Sequence, residues 1–183
     1  MALFKLYPDK KFAYGSPGAG TLTHLAGEIL KQLAGLPDFA HAPYRGAGPG
    51  MTDLVGGHIP VMALNITGQV LEFHKAGNIR IIATCGPKRL DLLPDVAAAA
   101  ETYPNLVAQL FTGLFAPAAT PKAIIARIAE AHGKLAASDA FKKRLVDSGL
   151  DPVADTPEAA QHFVDGEIKR LVPLVKAVGF KPE

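Results

Sequence analysis

The chain has 183 residues, of which 49% are hydrophobic and 20% charged, with a formal charge of +2; that balance suits one globular core or two small lobes and excludes a disordered segment. So small a charge, without any Lys/Arg cluster interleaved with aromatics, argues against a nucleic-acid partner. No apolar run approaches the roughly 20 residues of a membrane span, and the one cysteine, Cys85, cannot form an internal disulfide.

The opening MALFKLYPDKK lacks the apolar run of about 7–15 residues that a secretory signal needs, so a native start at Met1 predicts a cytoplasmic protein. From Lys11 the chain alternates strand-like and helix-like runs. KFAYG reads as a short strand. Residues 21–35 then set Leu22, Leu25, Ala26, Ile29, Leu30 and Leu33 on one helical face, stopped by Gly35 and Pro37. FAHAPY reads as a strand, GPGMTDLVGG as a short helix closed by Gly56 and Gly57, and IPVMAL as a buried strand. QVLEFHKAG follows as a helix and IRIIATC as another buried strand ending at Cys85, where an inert buried thiol is expected. This alternation predicts an α/β fold with a largely parallel sheet and ligands at the carboxyl ends of its strands.

PKRLDLLPDV, rich in proline and charge, reads as a crossing between lobes. LVAQLFTGLFAP is a candidate strand, and Pro117 and Pro121 bracket a turn into two helices over 121–137 and 139–148. Thr156, Pro157 and Glu158 start a long C-terminal helix with an N-cap, a proline in its first turn and an acidic residue behind it. Pro173 should kink that helix.

The most informative stretch is YGSPGAGTLTHLAGEIL, residues 14–30, where a glycine loop meets a helix. The helix start carries unpaired N–H groups and partial positive charge, a setting for carboxylate or phosphate. Gly18 and Gly20 allow close backbone approach, and Ser16, Thr21 and Thr23 can donate hydroxyls. A tight turn with an N-cap at Thr21 explains the same residues. The loop is not a Walker A motif, because no lysine follows its last glycine. It also departs from G-x-G-x-x-G at Thr23, so no nucleotide cofactor is expected. The six histidines show no zinc-type spacing, and no metal is expected either.

With PYRGAGPGMTDLVGGHIPVMALN, residues 43–65, this loop resembles the receptors of tripartite tricarboxylate transporters, the Bug-type periplasmic solute-binding family. The family pattern is a Y-G-S-x-G-x-G-[ST]-x-x-H-L-A-G-E loop and helix, then P-Y-[KR]-G, D-L-x-G-G-x-[VI]-x-V-M and an Asn. The likeness runs on through AGNIRIIATCGPKRLDLLPDV, GLFAPAATPKAIIARI and SGLDPVADTPEAAQHFVDGEI to VKAVGFKP. It implies a type II periplasmic-binding-protein fold, here with the second lobe complete and the first partial: 1–86 as the ligand-binding α/β segment of the second lobe, 87–120 as inter-lobe crossing and cleft wall, and 121–183 as helices associated with the first lobe. It implies a periplasmic receptor, not an enzyme, that passes a small carboxylate to the transporter's membrane components. The carboxylate would be a di- or tricarboxylate or an aromatic one.

On the family pattern Ser16, Gly18, Gly20 and Thr21 match the ligand-holding loop, Tyr44 and Gly46 the loop after the next strand, Asn65 a polar cleft position, and Phe111 an apolar cleft wall beside Thr112 and Gly113. Arg45 is a weaker candidate, since a guanidinium there also suits solvent. Leu64 replaces the acidic residue usual before the Asn, and the opening strands of the first lobe are absent. The resulting unpaired edge near 106–116 predicts self-association. Two alternatives stand beside the receptor: a truncated interaction module without ligand, and a small hydrolase using Ser16, although GSPG is not G-x-S-x-G and no acid–His pair is evident.

Overall fold

The computed structural model describes residues 13–151, 153 and 156–177. The chain divides into two units: Met1–Asn65 with Glu72–Leu110 and Leu174–Glu183, and Ile66–Leu71 with Phe111–Pro173.

The first unit is built on three parallel strands in the order β2-β1-β3, namely β1 (Ala13–Ser16), β2 (Ala40–Pro43) and β3 (Val61–Met62). Tyr14 lies opposite His41 and Val61 in the two ladders. Helix α1 (Leu22–Ala34) crosses from β1 to β2 and α2 (Ala47–Val55) from β2 to β3. Thr21 caps α1, and the Gly35 amide closes it onto the Gln32 and Lys31 carbonyls. Leu25, Ala26 and Ile29 are buried as the spacing predicts, while Leu33 at the far end of the stripe is 39% exposed.

One aromatic fixes how α1 meets the sheet. Tyr14 is 1% exposed, stands 5.1 Å from the Phe39 ring and donates from its hydroxyl to Glu28 Oε1 at 2.7 Å. Burial and that carboxylate push the phenol well above its ordinary range. A Cβ on Gly27 would overlap the Tyr14 ring, so the helix can lie on the tyrosine only with glycine there. At Gly50 in α2 a Cβ would meet the end of the Met62 side chain, which can swing aside, and would stand 3.2 Å from the Tyr44 ring.

Several expected strands are shorter or missing. Lys11 and Phe12 of KFAYG lie outside the described residues; of IPVMAL only Val61–Met62 is strand, followed by the Ala63 amide donating to Gly15 O at 2.9 Å. IRIIATC makes a single parallel bridge, Thr84 to Ala98, and Ile82 is 66% exposed. LVAQLFTGLFAP is not strand: Leu106 is 1% exposed, but the following Leu114 and Phe115 are 74% and 76% exposed. Both runs are apolar enough for strands. They lack the neighbouring ladder that makes a strand, and sequence period alone does not supply it.

The helices match the sequence closely. α3 covers Gly68–Lys75, and the second unit holds α4 (Lys122–Ala137), α5 (Asp139–Asp147) and most of α6 (Pro157–Ala177). The Ala159 amide donates to Thr156 Oγ1 at 3.2 Å, the expected N-cap bond, and Pro173 lies inside α6, which runs on to Ala177. The end of VKAVGFKP, from residue 178, lies outside the described residues.

Candidate functional site

The β1–α1 and β2–α2 loops leave adjacent parallel strands at their carboxyl ends, where open α/β sheets place ligands. Two backbone bonds stitch them together: the Tyr44 amide donates to Ser16 O at 2.9 Å and the Gly46 amide to Pro17 O at 2.8 Å. Gly20 at φ +77° and Gly46 at φ +105° turn the two loops through conformations that side chains resist.

Inside the first loop the Thr21 hydroxyl donates to Gly18 O at 2.8 Å and accepts the His24 amide at 3.2 Å. The Gly20 amide donates to His24 Nδ1 at 3.1 Å. Among the described residues the Leu22 and Thr23 amides at the helix start have no protein acceptor, which leaves donors of the kind an anion takes. The cap expected at Thr21 is therefore formed.

Side chains expected to face a ligand are largely engaged with the protein. Ser16 is fully buried; its Oγ lies 2.7 Å from His41 Nε2, accepts the Gly18 amide at 3.3 Å and donates to Gly18 O at 3.1 Å. The Tyr44 hydroxyl donates to Asp53 Oδ2 at 2.8 Å, and that bond raises its pKa. The Tyr44 ring covers Gly15, where a Cβ would sit 2.9 Å from it. Gly18, Gly20, Thr21, Tyr44 and Gly46 are thus brought together with Ser16. Asn65 is exposed three residues beyond β3, and Arg45 is exposed between the two stitched amides. Phe111 belongs to the second unit, where its ring meets Phe163 edge-on at 5.1 Å.

Sequence reasoning missed the place of His41 and the bond between Tyr44 and Asp53. His41 stacks on His24 with ring centroids 4.0 Å apart, and burial together with His24 pulls its pKa below the ordinary imidazole value. The available signal was alternation on β2, which pairs His41 with buried Tyr14. Ser16 touches His41, but its hydroxyl proton goes to the Gly18 carbonyl, and a serine with no exposed surface cannot meet an ester as it stands. Among the described residues no group of three or more His, Cys, Asp or Glu could hold a metal. Cys85, expected to be buried, is only partly so, and what burial it has raises its thiol pKa. A shallow cavity of about 360 Å³ lined by His74, Gly77, Asn78, Ile79 and Arg80 shares no residue with the glycine loops.

The chain is similar to proteins of one kind. Protein BugT of Bordetella pertussis is 30% identical over 170 residues, covering 92% of this chain and 52% of that protein. A UPF0065 protein in the clcB-clcD intergenic region of Pseudomonas knackmussii is 31% identical over 160 residues, covering 86% of this chain and 94% of that one. Among solved structures, a periplasmic transporter superposes with TM-score 0.83 at 31% identity, covering 96% of this chain and 58% of its own. An R. palustris protein solved with adipate superposes at 0.77 with 25% identity, covering 99% and 61%. The fold is accordingly that of a periplasmic binding protein, present in part. The chain spans about half the length of most curated relatives it matches. The model of the tripartite tricarboxylate transporter family receptor matches residues 1–180, and the chain belongs to that family.

Proposed function

We propose that this chain is the carboxylate-holding part of a periplasmic receptor that delivers a small dicarboxylate to the membrane components of a tripartite tricarboxylate transporter. One observation carries the reading: two glycine loops stitched together at the carboxyl ends of adjacent strands, with amides at the start of a 13-residue helix that meet no acceptor among the described residues. The solved relative holding adipate supports a dicarboxylate of that size. Recognition rests on backbone amides, because the Ser16, Thr21 and Tyr44 hydroxyls already have protein partners.

Calorimetry and thermal shift with straight-chain dicarboxylates, their monoamides and matched esters test this. Saturable stabilisation by diacids without turnover is expected, with the monoamide losing about tenfold or more, since charged hydrogen bonds are roughly twice as strong as neutral ones. Gly20→Val, which forces a branched side chain into a left-handed turn, should abolish that stabilisation. Gly18→Ala should leave the loop folded, because its methyl would meet Tyr44 O at an ordinary 3.5 Å. A folded wild-type protein unaffected by any carboxylate contradicts the reading, and ester turnover would favour the hydrolase instead.

A further inference from the structure

The Gly18 carbonyl is the node of the first glycine loop. It accepts the Ser16 hydroxyl at 3.1 Å, the Thr21 hydroxyl at 2.8 Å and the Thr21 amide at 3.4 Å, while the Gly18 amide turns back to Ser16 Oγ at 3.3 Å. Ser16 has no exposed surface, so these bonds hold the carbonyl oxygen, a group that would repel an anion, against the protein. Behind Ser16 stands His41 on β2, its Nε2 2.7 Å from Oγ and its ring packed on Tyr14 at 4.9 Å and on His24 at 4.0 Å between centroids. We propose that His41 is a positioning residue for the carboxylate loop: its Nε2–H donates to Ser16 and so commits the Ser16 proton to the Gly18 carbonyl. The inference rests on the carboxylate reading above and names the side chain that fixes the loop's shape.

A hydroxyl has one proton and two lone pairs. In Ser16 the proton goes to the Gly18 carbonyl and one lone pair takes the Gly18 amide, so His41 meets the second lone pair, and that contact needs a donor at Nε2. Burial and His24 pull the His41 pKa below the ordinary imidazole value, so the ring is neutral at neutral pH and carries its one proton on Nε2. With the proton on Nδ1 instead, Nε2 would be an acceptor and would draw the Ser16 hydroxyl off Gly18. That carbonyl would then lose one of its three donors, at a peptide whose glycine is free to rotate. The same assignment makes His41 a donor to Ser16, the opposite of a base that would activate it. The strand register supports the role: His41 lies opposite Tyr14, two residues before Ser16, and its imidazole reaches along the sheet toward the carboxyl end where the loop begins.

Long-range ¹H–¹⁵N spectra of the whole ligand-free chain at about pH 7.5 read the tautomer directly, with the proton expected on Nε2 of His41 and a lone pair on Nδ1. Calorimetry with adipate reads the role. His41→Leu cannot donate and leaves a buried hydroxyl lone pair unpaired, so affinity should fall about tenfold or more. His41→Gln keeps an N–H donor about as far along the side chain as Nε2 and should bind within about threefold of the wild type. Ser16→Ala should cost as much as His41→Leu, and the double variant should lose no more than either alone, because His41 acts through Ser16. A side chain that only packs would give losses that add. If His41→Leu folds poorly, the tautomer together with His41→Gln and Ser16→Ala decides. A proton on Nδ1, additive losses, full affinity in His41→Leu, or a loss in His41→Gln as large as in Ser16→Ala overturns this inference and leaves the carboxylate site standing. No binding of adipate by the folded wild type overturns the site and the inference together.

Discussion

Gly27 and Gly166 are both helical glycines, and their surroundings predict opposite effects of a methyl group. At Gly27 the added Cβ overlaps the buried Tyr14 ring, whereas at Gly166 in α6 it meets nothing within 4 Å. Gly27→Ala should therefore destabilise the chain by about 1–3 kcal/mol through overpacking. Gly166→Ala should stabilise α6 by about 0.5–1 kcal/mol through helix propensity. Denaturant unfolding followed by circular dichroism checks both, and matching signs would contradict the packing described for Tyr14. The loop glycines and the Thr21 cap were legible in the sequence because glycine spacing and cap residues act locally. The partners of Ser16 and Tyr44 were not. The β1–β2 register sets His41 opposite Tyr14 and so within reach of Ser16, and the crossover through α2 carries Asp53 to Tyr44.

At the scale of elements, the helices were readable and the strands were not, and the segment between 86 and 106 shows why. Its regular structure is one bridge and one short 3-10 helix, Ala99–Glu101, so its order rests on side chains. Arg89 grips Glu101 with two bonds of 2.7 and 2.9 Å and the Pro94 carbonyl with a third at 3.0 Å, while the Ala98 amide donates to Glu101 at 2.9 Å. Arg89 and that amide hold the Glu101 carboxyl at about 2, well below the ordinary 4.5. A depressed carboxylate contributes stability that is fully present above its unfolded value and is lost as pH falls through the folded one. Protection of the Ala98 and Thr84 amides should therefore hold above pH 4.5 and fall away toward pH 2. Glu101→Gln should lower that protection at neutral pH and flatten its acid dependence. Amide exchange along a pH series measures this, and unchanged protection in the variant would mean that the pair does not order the segment.

For the whole molecule, apolar side chains of the second unit stay open to solvent: Leu114 at 74%, Phe115 at 76%, Ile124 at 50% and Ile168 at 55%. Exposure on this scale marks interfaces. The strand edge expected near 106–116 is absent, so association would rest on side chains and not on a shared ladder. Light scattering should show mass rising with concentration, and a Leu114→Ser, Phe115→Ser double variant should suppress the rise; a monomer mass constant across the series would contradict this. The receptor reading itself turns on a narrower point, whether an anion meets the backbone of the first glycine loop. Titrating ¹⁵N-labelled protein with adipate and following its amide resonances tests that point most directly. The account predicts that the Gly18, Gly20, Leu22 and Thr23 amides shift together and saturate, whereas shifts confined to the His74–Arg80 cavity, or none at all in the folded protein, would contradict it.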